Sequence, residues 1–282
     1  MITNGGRANL PTVLVSAAGA DINCVTRGRG PVCLVLSSIG TKPYELQMPR
    51  ALDDRLTLAF VDIRGSGRST GEAASLSFDV LADDLEAVRR ALGAPRVIVL
   101  GHSIVGMLAI EYARHRAETV SHAIVVGTPP KGDMAALLAE SKRYFEAHAS
   151  DDRKQVLQEN LANLPPGTPP SQAVFAQTPM RFFDPRFDAP PLFAGAEPRP
   201  EILMHLMAKL GPTWDVTASP DLRTPLLIAH GRHDYTVPHV LWDDVIMRLP
   251  TATKHLFDRS GHQPFVEEPE PFTAAVTAWL EV

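Results

Sequence analysis

The stretch Val97 to Ala113, VIVLGHSIVGMLAIEYA, constrains the fold more than any other part of the chain. A short apolar run, a Gly-His-Ser turn and a second, longer apolar run read as a buried strand that turns straight into a buried helix. A strand covered on both faces belongs to a parallel sheet flanked by helices. The lone hydroxyl, Ser103, then lies at the carboxyl end of that strand, where open α/β sheets bind ligands. The helix start beside it offers free backbone N–H groups that can stabilise a developing oxyanion.

The rest of the pattern agrees. Strand-like runs lie at 11–17, 21–26, 31–37, 56–63, 96–102, 121–127, 225–231 and 254–259. The first three are closely spaced and suggest an antiparallel start. The later ones alternate with helix-like runs at 77–92, 104–115, 240–249 and 271–281. The fold class expected is α/β, a mostly parallel, doubly wound, eight-stranded sheet. From 129 to 220 the rhythm breaks. That span holds fourteen of the 25 prolines, together with two amphipathic helix candidates, AALLAESKRYFEAH and DDRKQVLQENLANL. Its aromatic and aliphatic content predicts that it packs on something. We read 1–128 and 221–282 as the core and 129–220 as an inserted helical cap.

A chain of 282 residues with 45% hydrophobic content can bury a full core. A net charge of −5 with no Lys/Arg run gives no footprint for nucleic acid or an anionic membrane surface. No signal-like or membrane-spanning run stands out, so a cytoplasmic location is the expectation. Cys24 and Cys33 sit in strand-like runs and read as buried free thiols. The histidines show no metal-ligand spacing, so neither a metal nor a cofactor is expected. His102 reads as a packing residue at the elbow. Oligomeric state is left open.

A serine hydroxyl is a poor nucleophile without a base to take its proton and a carboxylate to orient that base. Two strand ends supply candidates. Asp234 follows PLLIAHG in GRHDYTVP, and His262 follows KHLFDR in SGHQPF. The order Ser, Asp, His is the one that strand–turn–helix hydrolases use.

With DIRGSGRS, GHSIVG, GRHDYTVP and SGHQPF in this order, the chain resembles the α/β-hydrolase fold superfamily over nearly its whole length. In FDPRFDAPPLF and the GRHDY turn it resembles proline iminopeptidase-like serine hydrolases. The resemblance implies Ser103 as nucleophile, His262 as base and Asp234 as its orienting acid. It implies the N–H groups of Ile39 and Ile104 as the oxyanion hole, and DIRGSGRS as a structural turn, not a phosphate loop. Two positions depart from the family pattern. Val105 stands where G-x-S-x-G has its last glycine, with Gly106 one place later, so a small neighbour must absorb the valine. Ser37-Ser38-Ile39-Gly40 replaces the usual His-Gly loop. The His-Gly-Gly-Pro loop and the Trp after the nucleophile of prolyl aminopeptidases are both missing.

The activity expected is cleavage of a small, largely apolar ester, lactone or amide through an acyl-enzyme, falling below pH about 6.5 as the histidine protonates. Tyr44, Trp214 and Val237 are candidate pocket residues. Glu201, Asp184 and Asp188 are acids of the insertion that could hold a substrate ammonium. Alternatives are a prolyl aminopeptidase-like peptidase, a ligand-binding protein, and a lyase or acyltransferase of the same fold.

Overall fold

The computed structural model describes residues 11–218 and 222–281. The first ten residues and the expected boundary at 220/221 lie outside them. Eight strands form one sheet: β1 (Thr12–Ala17), β2 (Ala20–Gly28), β3 (Val32–Ser37), β4 (Thr57–Asp62), β5 (Val97–His102), β6 (Val120–Val126), β7 (Leu226–Gly231) and β8 (Ala252–Phe257). Their order is β1-β2-β4-β3-β5-β6-β7-β8. Pairing is antiparallel for β1·β2 and β2·β4 and parallel from β4 onward. The antiparallel start therefore holds in direction, but β3 does not pair with β2. Strand β4 lies between them, because a parallel neighbour for β3 requires a crossover through α1 (Thr41–Gln47).

The central strands are apolar along their whole length, and alternate residues feed two cores. Leu34, Leu36, Val97 and Val99 face one cluster, which holds α2 (Phe78–Ala91) and α3 (Gly106–His115). Cys33, Val35, Ile98 and Leu100 face the other, with residues of α1 and the last helix. Helices on both faces are what a parallel sheet needs to leave no face wet. Both cysteines are buried and free.

Between β6 and β7 the chain forms α4 (Met134–His148), α5 (Asp151–Ala162), α6 (Pro170–Ala173), α7 (Thr178–Arg181) and α8 (Pro200–His205). Asp133 and Ser150 cap α4 and α5 with side-chain oxygens. After β7 come α9 (Asp243–Ile246), then α10 (Pro264–Glu267) and α11 (Pro269–Leu280) beyond β8. The helix expected over 240–249 is instead a 3-10 turn at His239–Trp242 followed by the single turn α9. Buried Trp242 is pinned by its indole N–H to the Thr128 carbonyl at 2.8 Å. Lys254 binds the His239 carbonyl at 2.8 Å and Asp243 at 2.6 Å. These anchors fix the segment locally in place of a long helical ladder.

The DIRGSGRS segment is a structural turn. Asp62 accepts from the Asn23 amide at 2.9 Å and the Arg68 N–H at 3.0 Å, and Arg64 pairs with buried Asp84. Among the described residues no helix is long and apolar enough to cross a membrane.

Candidate active site

Ser103 closes β5 with φ 58°, a left-handed conformation that a side chain adopts only under constraint. The constraint is close packing. A Cβ on Gly101 would stand 2.6 Å from the Cα of Gly106, and one on Gly106 would collide with the Thr128 side chain. Thr128 also donates its hydroxyl to the Ser103 carbonyl at 2.9 Å. The glycine that the elbow requires is therefore Gly106. Val105 needs no small neighbour of this kind, because its side chain packs into the α2/α3 core at 2% exposure.

Asp234 and His262 meet beside it. His262 Nδ1 lies 2.7 Å from Asp234 Oδ2, and both side chains are fully buried. The other carboxylate oxygen accepts backbone N–H bonds from Thr236 at 2.9 Å and Val237 at 2.8 Å. Burial pushes Asp234 up to about 7, opposed by these N–H groups and by nearby His230 and Arg181. Burial, aided by the Arg181 charge, holds His262 well below the usual histidine range. A proton on Nδ1 gives the Asp234 carboxylate its donor across this contact. His262 Nε2 is buried and has no hydrogen-bond partner among the described residues. The His102 ring lies tilted against that of His262 with centroids 4.7 Å apart, and Gly127, next to Thr128, packs against Nδ1. Through His102, the residue before Ser103, and Thr128, which bonds the Ser103 carbonyl, these contacts hold the imidazole near the elbow.

His102 does more than fill space. Its Nε2 lies 2.9 Å from the His262 carbonyl, which can only accept, so Nε2 carries the proton. Nδ1 then accepts from the Tyr44 hydroxyl at 3.0 Å. Tyr44 is consequently a buried prop behind His102 and not a free pocket wall. Val237 serves Asp234 through its main chain, with its side chain buried. Trp214 is a correction. It packs in the α2/α3 core, its indole N–H bonded to Glu111 at 2.7 Å, because that carboxylate satisfies its one donor there. The acids Glu201, Asp184 and Asp188 are all exposed.

Of the two expected oxyanion donors, the Ile104 N–H lies in the first turn after β5, where no carbonyl of its own helix can reach it. The Ile39 N–H is engaged by the Ser37 hydroxyl at 3.1 Å, which itself donates to the Gly40 carbonyl. An incoming oxyanion would have to take that amide from Ser37.

The insertion reaches the same place by contacts the sequence did not disclose. The His262 N–H donates to the Arg181 carbonyl at 2.6 Å. Gly261 permits this approach, since a Cβ there would overlap that carbonyl. Half-buried Glu267 accepts from the Phe183 N–H at 2.6 Å and the Gly261 N–H at 2.8 Å, so one carboxyl ties the insertion to the histidine loop. Burial raises Glu267 to about 7 despite both bonds. The only sequence hint of Arg181 is a single cation inside the apolar run TPMRFF.

Residues 34–269 match the family model described as alpha/beta hydrolase fold. The chain is 30% identical to the AB hydrolase superfamily protein YclE of Bacillus subtilis, over 93% of this chain and 96% of that protein. It is 25% identical to a pimeloyl-[acyl-carrier protein] methyl ester esterase of Vibrio vulnificus, over 89% and 95% of the two chains. In structure it is similar to an alpha/beta fold family hydrolase from Bacillus anthracis. The TM-score is 0.73 at 21% identity, covering 96% of this chain and 99% of that one.

Proposed function

The chain belongs to the α/β-hydrolase fold family and is a hydrolase, and from that premise we propose that it cleaves small carboxylic esters or lactones through Ser103, His262 and Asp234. The observation that carries the reading is the buried Asp234–His262 pair, with His262 Nε2 unpartnered and its ring packed on His102, the residue before a serine held at φ 58°. His262 takes the Ser103 proton as the oxygen attacks the substrate carbonyl. Asp234 keeps the proton on Nδ1 and stabilises the imidazolium that forms. The Ile104 N–H, joined by the Ile39 N–H as it leaves Ser37, binds the oxyanion; one such donor is worth about 2.7–4 kcal/mol. The protonated ring gives its proton to the leaving group. Water, activated by the same ring, then releases the acid and restores the serine.

Esters and lactones fit better than aminoacyl amides. The three acids expected to hold a substrate ammonium, Glu201, Asp184 and Asp188, are exposed, whereas the positive charge of Arg181 acts on both Asp234 and His262. The methyl ester named for the Vibrio relative belongs to the same bond class. Intact mass after a fluorophosphonate probe tests the proposal. One adduct on the wild type and none on Ser103→Ala is the expected result; an unlabelled, folded wild type would overturn it.

A further inference from the structure

Arginines that leave solvent in this protein are matched to acceptors. Arg27 bonds Asp53 and the carbonyls of Glu45 and Met48. Arg64 forks onto Asp84, Arg89 onto Glu86, and Arg114 pairs with Glu111. Arg153 binds the carbonyls of Pro179, Phe182 and Phe183. That is the expected pattern, because a guanidinium leaving water needs acceptors for its donors. Arg181 is the exception. It ends α7 with its side chain only partly exposed, and among the described residues its guanidinium makes no hydrogen bond and no ion pair. Its own carbonyl holds the His262 N–H at 2.6 Å. Its charge acts on Tyr44, His102, Asp234 and His262, the buried groups around the His262 ring.

The Asp234 charge favours the Arg181 cation, but the Asp234 carboxylate makes no hydrogen bond to the guanidinium. One of its oxygens is filled by the Thr236 and Val237 N–H groups and the other by His262. Glu267, the next carboxyl, is committed to the Phe183 and Gly261 amides. A planar fork of N–H donors with no protein acceptor, on a residue whose carbonyl holds the base's N–H, has the chemistry to clamp a carboxylate.

We infer that Arg181 is an anion subsite of the catalytic cleft, and that the preferred substrates are acyl compounds carrying a carboxylate a few bonds from the carbonyl under attack. The inference rests on the hydrolase reading above for the identity of that carbonyl, but not for the subsite itself. Bound there, the carboxylate completes the guanidinium's hydrogen bonds and orients the substrate against Ser103.

Two isosteric pairs test it. Monomethyl glutarate and methyl valerate differ by a carboxylate in place of a methyl group, and so do glutarate and valerate. The ratio of kcat/KM for the two esters in the wild type should favour monomethyl glutarate by about tenfold or more, the worth of one charge-assisted hydrogen bond or better. Arg181→Met should collapse that ratio. Arg181→Lys should keep part of it, since the charge survives and the fork does not. Titration calorimetry needs no turnover. Glutarate should bind the wild type more tightly than valerate, and Arg181→Met should erase the difference. A wild-type ratio of one or less, or a preference that survives in Arg181→Met, overturns the subsite. If fluorophosphonate labels Ser103 while no preference exists, the subsite alone fails. If Ser103 is unlabelled and neither ester is cleaved, the hydrolase reading fails, and glutarate binding still decides the subsite.

Discussion

A histidine serves as a general base only over the pH range in which it is neutral. Its ordinary value near 6.5 would put the acid limb of activity close to neutrality. Burial and the nearby Arg181 charge hold His262 well below that value. His262 and Asp234 share one proton, because Asp234 is raised to about 7 while His262 is lowered. A proton taken up by the pair disables the base whichever atom carries it, so kcat/KM measured on a neutral ester should fall as pH drops through about 7. Activity that stays flat down to about pH 5 would contradict this account of the site. Arg181→Met removes one of the two causes, so the same limb should move to higher pH. The other groups facing the ring pull in known directions. Asp234 favours its protonation, while His102 is neutral and donates its Nε2–H to the His262 carbonyl. At this scale the sequence was partly legible. Ser103, Asp234 and His262 were visible because each ends a strand in a recognisable phrase. Arg181 was not, because what sets it apart is an unfilled set of donors, and only the folded environment reveals that.

The strand–turn–helix element carries a second test. The family pattern places a glycine at 105, yet here the tight contact falls on Gly106, whose Cβ would enter the Thr128 side chain. Gly106→Ala should therefore cost about 1–3 kcal/mol through overpacking, read as a lower midpoint in urea. Thr128→Ala in the same chain should recover part of that loss, because two of the three colliding atoms are removed. If Gly106→Ala is as stable as the wild type, the elbow is not held by this contact. The valine at 105 has no such conflict, since it points into the α2/α3 core. The reading of elements from sequence worked where periodicity and burial coincide. All eight strands were visible as apolar runs, as were α2 to α5 and α11. It failed where one anchor overrides periodicity. The 240–249 run looked helical, but buried Trp242 and the Lys254 contacts break it into two short turns. Trp214 failed for a related reason. An aromatic in a proline-rich insertion looks like a pocket wall until its N–H is found on Glu111 inside the core.

At the scale of the whole molecule, the insertion is bound to the sheet through the very loops that carry Asp234 and His262. The Tyr235 N–H donates to Met180, the His262 N–H to Arg181, and Glu267 receives the Phe183 N–H. Arg153 on α5 is the hub. Its guanidinium binds the Pro179, Phe182 and Phe183 carbonyls and lies 5.3 Å from the centre of the Tyr235 ring. Those carbonyls flank Arg181, so the hub also fixes the residue that meets His262. Arg153→Met keeps much of the stem but leaves three carbonyls, two of them buried, without their donor. At about 1–3 kcal/mol for an orphaned buried group, partly relieved by relaxation, a loss of roughly 2–4 kcal/mol is expected. Because the network runs through both parts, that loss should appear as one cooperative transition at a lower midpoint. It should not appear as early melting of the insertion over an intact sheet. Native-state hydrogen exchange makes the distinction at individual amides. In Arg153→Met the N–H groups of Tyr235 and His262, which donate to the insertion, should lose protection together with amides in the central strands. If the Tyr235 and His262 amides open alone while the strands keep wild-type protection, the insertion is an independent lid. In that case the Arg181–His262 contact would be one state of a moving part and not a fixed feature of the site.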